Sequence, residues 1–180
     1  MRLFKYIAAA ALVSGVATAE ERSPTKLISD ALLPLPTELR EGTKVVVVDE
    51  PGTRRVLREG NNGIICQADS PDPDFDVRCY HQSLDAFFTR LAELQAGGAS
   101  LDTVLDTLHT EMEAGKLKSI DRATVYRLRG SNLEGALPHT AVFLPGATSQ
   151  STGLPTEPSH YRPWLMWSGT AAAHIMIPGK

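Results

Sequence analysis

Between residues 84 and 112 the apolar side chains adopt a helical period, and that stretch constrains the fold more than any other feature. Leu84, Phe87, Phe88, Leu91 and Leu94 recur at intervals of three and four, which puts them on one face of a helix. Leu101, Val104, Leu105, Leu108 and Met112 repeat the pattern. Ser83 and Ser100 stand where a capping hydroxyl is wanted, and Gly97-Gly98 and Gly115 where a helix ends. Only Gly97-Gly98-Ala99 separates the stripes, so the spacing predicts an antiparallel αα-hairpin with both apolar faces turned to one core.

On either side of the hairpin the chain reads as strands. Lys44 to Val48 is β-branched and without helical character, as a buried strand requires. Pro51-Gly52 suits the centre of a type II turn, Thr53 to Glu59 the return strand, and Gly60-Asn61-Asn62-Gly63 a second turn into Ile64-Ile65-Cys66. These three predict an antiparallel meander. Asp69 to Asp76 is a loop by composition. Beyond the hairpin, Ala123 to Arg129, Thr140 to Leu144, Trp164 to Trp167 and His174 to Ile177 have strand character. The Pro145–Pro163 connection is rich in proline, serine, threonine and glycine, a length usually functional or disordered. Arg22 to Leu35 is a helical or irregular entry broken by Pro34 and Pro36. The order β-β-β-α-α-β-β-β predicts an α+β fold: an antiparallel sheet of about five to six strands, with the αα-hairpin packed on one face. Residues 20–180 are expected to form one domain of this kind.

The N-terminus predicts an address. Arg2 and Lys5 precede an alanine-rich apolar stretch from Tyr6 to Val16, and Ala17-Thr18-Ala19 places small residues at a cleavage site. Residues 1–19 therefore read as a secretory signal peptide, which sends the chain to the periplasm or the extracellular space. Nothing downstream is apolar over a length that would span a bilayer, so the exported chain is expected to be soluble, with no membrane span. In an oxidising compartment Cys66 and Cys79, the two cysteines, have each other as partners, and a structural disulfide is expected. A zinc or redox pair would favour the CxxC spacing that they lack. A net charge of −3 with 22% charged residues argues against a nucleic-acid binder.

Candidate chemistry is sparse. Asp72, Asp74 and Asp76 have the 1, 3, 5 spacing of calcium-loop ligands, which makes Ca2+ the candidate cation. Val77 and Ser83 then stand where that loop wants glycine and glutamate, so a solvated acidic loop is the plainer account. His81, His139 and His174 would make a metal-dependent hydrolase only if the fold gathered them beside a carboxylate. No GxSxG elbow, Walker loop or GxGxxG fingerprint is present. Arg55, Arg127 and Arg129 lie on predicted strands. If those strands paired, the guanidiniums would converge on an anion or on acidic side chains; otherwise they mark a solvent face. The densest recognition-type cluster is His160, Tyr161, Arg162 and Trp164, followed by Trp167, at the exit of the long connection. It predicts contacts in a cleft between that connection and the sheet, although for Trp164 and Trp167 the plainer account is a place in the core, since a small domain poor in aromatics needs its large side chains inside.

Asn61-Asn62-Gly63-Ile64-Ile65-Cys66, Cys79-Tyr80-His81, Trp164-Leu165-Met166-Trp167 and Ala173-His174-Ile175-Met176-Ile177-Pro178 resemble segments of a family of exported bacterial proteins of unknown function. The resemblance implies bacterial origin and export, and it supplies no activity, cofactor or site. The reading is an exported ligand- or partner-binding module without catalysis, its partner an unknown small molecule or an envelope protein. The alternative is the histidine-based metal hydrolase.

Overall fold

The computed structural model of the chain describes residues 23–50, 53–70 and 74–179. The expected signal peptide, the Pro51-Gly52 turn and Asp72 lie outside these residues. Helix α1 (Pro24–Ala31) starts at Ser23, whose hydroxyl accepts from the Lys26 amide, and α2 (Thr37–Arg40) is one turn. Strands β1 (Lys44–Glu50), β2 (Thr53–Arg58), β3 (Ile64–Gln67) and β4 (Phe75–His81) follow. Then come α3 (Asp85–Ala96) and α4 (Leu101–Glu113), β5 (Ala123–Gly130), β6 (Leu137–Phe143), the single turn α5 (Ser149–Thr152), β7 (Trp164–Met166) and β8 (His174–Pro178). None of the helices among the described residues is long and apolar enough to cross a membrane.

The result is an α+β fold whose sheet corrects the expectation drawn from the sequence. Among the described residues it has eight strands rather than five or six, in the order β2-β1-β3-β4-β5-β6-β8-β7. It is mixed rather than antiparallel, because β1 and β3 run parallel, Val45 opposite Cys66. The first three strands are therefore not a meander. β1 is buried on both faces, Val45, Val46 and Val47 being at most 1% exposed, and such a strand needs a neighbour on each side. β2 is an edge strand with arginine at positions 54, 55 and 58, so the apolar β3 takes the other side of β1. To reach it the chain crosses the start of β1 at Gly60. A Cβ there would lie 2.2 Å from the Lys44 amide nitrogen, and only glycine permits that approach. Asn62 fastens the crossing, its Nδ2 donating to the Leu39 and Glu41 carbonyls.

The eighth strand of the count arises between the cysteines. Phe75, Val77 and Cys79 point to one face and Asp76, Arg78 and Tyr80 to the other, an alternation hidden behind the proline- and aspartate-rich loop. Cys66 and Cys79 sit directly opposite on β3 and β4 and are joined by a disulfide.

Helices cover both faces. On one, α3 and α4 bring Leu84, Phe87, Phe88, Leu91, Val104, Leu108 and Met112 onto Val46, Ile65, Tyr80, Val125, Ala141 and Phe143. Ser100 caps α4 by accepting from the Thr103 amide, and Gly98 ends α3 at φ +76°, a left-handed conformation that suits glycine. Arg90 of α3 grips Glu111 of α4 through Nε and Nη2, at 2.9 and 2.6 Å. On the other face α1 and the chain after it lay Leu27, Ala31, Leu32 and Leu35 over Val45, Val47, Cys66, Ala68 and Cys79.

Candidate functional site

The exit of the Pro145–Pro163 connection is more ordered than its composition suggests. Thr148 and Ser151 form a reciprocal capping box at α5. The Ser149 amide donates to Ser168 Oγ, Gly169 N to Ala147 O, and Leu165 N to Pro155 O, which ties the connection to β7 and to the turn behind it. Ser159 Oγ accepts from the amides of Tyr161 and Arg162 and so closes the last bend. Trp164 then enters the interior at 8% exposure, while His160, Tyr161 and Arg162 remain exposed, Tyr161 at 97%. The four residues thus divide: Trp164 anchors the exit, and the other three stand exposed on the bend before it. Trp167 occupies a left-handed conformation at φ 54°, and its ring meets His174 edge-on at 4.9 Å.

A second constellation lies on the hairpin-bearing face of the sheet, where the helices stop. Opposed positions put Gln67, Arg78, Arg127 and His139 in one row, and Asp76, Arg129 and Leu137 in the next. Arg127 and Arg129 do not meet the strand of Arg55, which pairs with Asp49 on the far edge. They meet β4 instead. Arg127 donates Nε to Asp76 Oδ1 at 2.7 Å and Nη2 to Asp76 Oδ2, and Arg78 Nη2 donates to the same Oδ2 at 2.9 Å. Burial alone would raise the Asp76 pKa, but the Arg127 hydrogen bonds and the charges of Arg78, Arg127 and Arg129 outweigh it and hold it below the usual carboxylate value. Burial, then the Arg127 charge, pushes His139 down to about 4, so its imidazole is neutral at pH 7. The sequence pattern pointed to Arg127 and Arg129; it missed Arg78, whose place in the alternation of residues 75–80 was the available clue.

Of the calcium-type aspartates, Asp76 faces guanidiniums and Asp74 lies 3.5 Å from Arg129. Among the described residues no group of three or more His, Cys, Asp or Glu is placed to hold one metal ion. His139 and Phe143, which stands opposite His174, are four residues apart on β6, about 13 Å. His174 is buried, stacked on Phe143 at 4.7 Å with Nδ1 2.9 Å from the Ala172 carbonyl, and desolvation lowers its pKa against that hydrogen bond. The metal-hydrolase alternative therefore has no support in the geometry.

A polar groove of about 720 Å³ opens at the end of β3 and β4, with Lys44, Gly63, His81, Ser83, Lys118 and Asp121 among its walls. His81 Nδ1 accepts from the Ser83 amide at 3.3 Å and lies 2.9 Å from Ser83 Oγ. This pair caps the turn that leads into α3. Beneath it Arg54, Tyr80, Asp85 and Thr89 form a braced network: Arg54 Nη2 lies 2.6 Å from Asp85 Oδ1, and the Tyr80 hydroxyl donates to the same oxygen at 3.1 Å. Burial raises the Tyr80 pKa above its ordinary value. This network holds α3 to the sheet.

Compared with the models of known protein families, with curated proteins and with solved structures, the chain matches none.

Proposed function

We propose that this chain is an exported binding module without catalysis of its own, and that it recognises a protein partner of the cell envelope through the tip at His160, Tyr161 and Arg162. One observation carries the reading. Tyr161 is 97% exposed on a connection that is hydrogen-bonded at both ends and anchored by buried Trp164. An aromatic ring held in water at a fixed tip gains when a partner's surface takes it, and a fixed tip loses little conformational freedom on binding. Arginine beside it adds a planar hydrogen-bonding fork. Small-molecule sites are concave and bury most of their ligand, whereas Tyr161 is 97% exposed, which supports a macromolecular partner over a small ligand. The export component rests on the leader-like residues 1–19 and the family resemblance, and the disulfide agrees with it.

The experiment is quantitative retention of envelope proteins on the mature chain and on the Tyr161→Ala, Arg162→Ala double variant. Loss of the two side chains is expected to weaken a specific partner at least tenfold, about 1.4 kcal/mol. Equal retention by both chains overturns the assignment of the tip. Export is checked separately by the mature mass, which is expected to begin at Glu20; an intact leader on exported material overturns it.

A further inference from the structure

The polar groove of about 720 Å³ is walled by separate stretches of chain: the start of β1, the 59–65 crossing into β3, the turn at 81–85 and the segment that follows α4. Several polar groups in it are unspent. The side chains of Asn61, Gln82, Lys118 and Asp121 make no hydrogen bond or ion pair with any described residue. His81 Nδ1 accepts from the Ser83 amide, so its Nε2–H is a donor left over for the groove. Gly63, at φ +77°, puts no side chain over that nitrogen; a Cβ there would lie 3.6 Å from it.

We propose that this groove is a binding site for a neutral sugar, a hexose ring or the end of an oligosaccharide. The balance of the walls selects that class. Among the described residues Lys44 is paired with Glu59 at 3.4 Å and Asp85 with Arg54 at 2.6 Å, which leaves Lys118 and Asp121, of opposite sign. An anion would meet Asp121 and Glu59 as well as the lysines, and a cation the reverse, so neither finds a field of one sign. An apolar ligand would strip water from amides and charges without replacing their hydrogen bonds. A sugar hydroxyl both donates and accepts, and so do the side-chain amides of Asn61 and Gln82. Lys118 and His81 add donors, and Asp121 adds an acceptor. Ile64 and Ile65 also line the groove and offer apolar contact to the C–H face of a ring. The volume lies in the range of small-ligand sites. The groove opens at β3 and β4, whereas the tip at residues 160–162 stands before β7, so this site is independent of the proposed protein contact.

The test is a titration of the whole chain with glucose, galactose and N-acetylglucosamine, and with glycine and inorganic phosphate as charged probes, at constant pH and ionic strength and read by NMR. At least one sugar is expected to shift the Gly63, Gln82 and Ser83 amides and the His81 ring saturably, in the millimolar range and more tightly than either charged probe. In the Gln82→Ala, Asp121→Ala double variant the affinity for that sugar is expected to fall about tenfold, the loss of two hydrogen bonds. Neither side chain has a partner among the described residues, so the variant keeps its fold, which the amide spectrum checks. Tighter binding of glycine assigns the groove to zwitterions, and tighter binding of phosphate assigns it to anions; either result overturns the proposal. So does the absence of saturation by all three sugars, or equal affinity in the double variant.

Discussion

The two faces of the sheet are closed by different means. The hairpin face is filled with rings: Tyr80, Phe87, Phe88 and Phe143 meet at centroid distances between 4.5 and 6.4 Å, tilted or edge to face. The core beneath α1 is leucine, valine, alanine and the two half-cystines, with Tyr126 at its margin and a single buried phenylalanine, Phe75, further along β4 on that face. Large rings remove much apolar area from water and hold their neighbours by shape; small side chains do less of both. Where the side chains are small, a covalent bond joins β3 to β4. The difference teaches that a cross-link stands in for packing on the face with less apolar area to bury.

The largest effect should come from the ring-filled face. Phe87 is 2% exposed and touches two other rings, so Phe87→Ala is expected to cost about 3–5 kcal/mol. Leu27→Ala, in the α1 core, should cost at least 1 kcal/mol less, or about 2–3 kcal/mol. Denaturant unfolding of both variants gives the ranking, and an equal or reversed order breaks the comparison.

The same contrast explains what the sequence made legible. The stripes of α3 and α4 rest on local spacing, so Leu84, Phe87, Phe88, Leu91, Val104, Leu108 and Met112 are readable as core without any knowledge of topology. Leu101 belongs to the same stripe but is 56% exposed, because it sits on the first turn, beyond the sheet's cover. The α1 face is non-local. Its core needs the β2–β3 connection to cross the start of β1, and Gly60-Asn61-Asn62-Gly63 has the composition of a hairpin turn as well as that of a crossing. Likewise β4 alternates properly from Phe75 to Tyr80, but its start is masked by aspartate and proline, which argue for a loop. The arginine cluster was half legible for that reason. Arg127 and Arg129 show on their own strand, whereas Asp76 and Arg78 become their neighbours only once β4 is recognised and paired.

Removing the cross-link should sharpen the comparison. The Cys66→Ala, Cys79→Ala pair is expected to lose about 3 kcal/mol, the chain-entropy value for a closed loop of this size. The loss should be uneven. Because both half-cystines pack beneath Leu27 and Ala31, amide exchange is expected to quicken in α1 more than in α3. Uniform quickening across both helices would show that the bond stabilises the chain as a whole and does not substitute for packing on one face.

The smallest effect separates the faces by charge. The sheet residues Asp76, Arg78, Tyr80, His139 and His174, whose pKa values are displaced, all face the hairpin. His139 titrates near 4 in the folded chain and near 6.5 when unfolded, so below pH 6.5 the unfolded state binds more protons. Its contribution is therefore complete above pH 6.5 and is lost as the pH falls through about 4, with His174, also lowered, acting in the same direction. Asp76, held below 3.8, adds a further loss only in stronger acid, as it protonates and releases Arg127 and Arg78. Between pH 7 and pH 5 the His139 part is about 1 kcal/mol, since solvent contact at a half-buried ring trims the nominal value. Arg127→Met should raise the His139 midpoint measured by NMR, though not to 6.5, because burial is the larger cause and remains. The cysteine-free pair should show the same pH slope as the wild type, since its lesion lies on the opposite face and separated sites add. A changed slope would mean that the two faces unfold as one coupled unit, and an unmoved midpoint in Arg127→Met would remove the guanidinium from the causes of the shift.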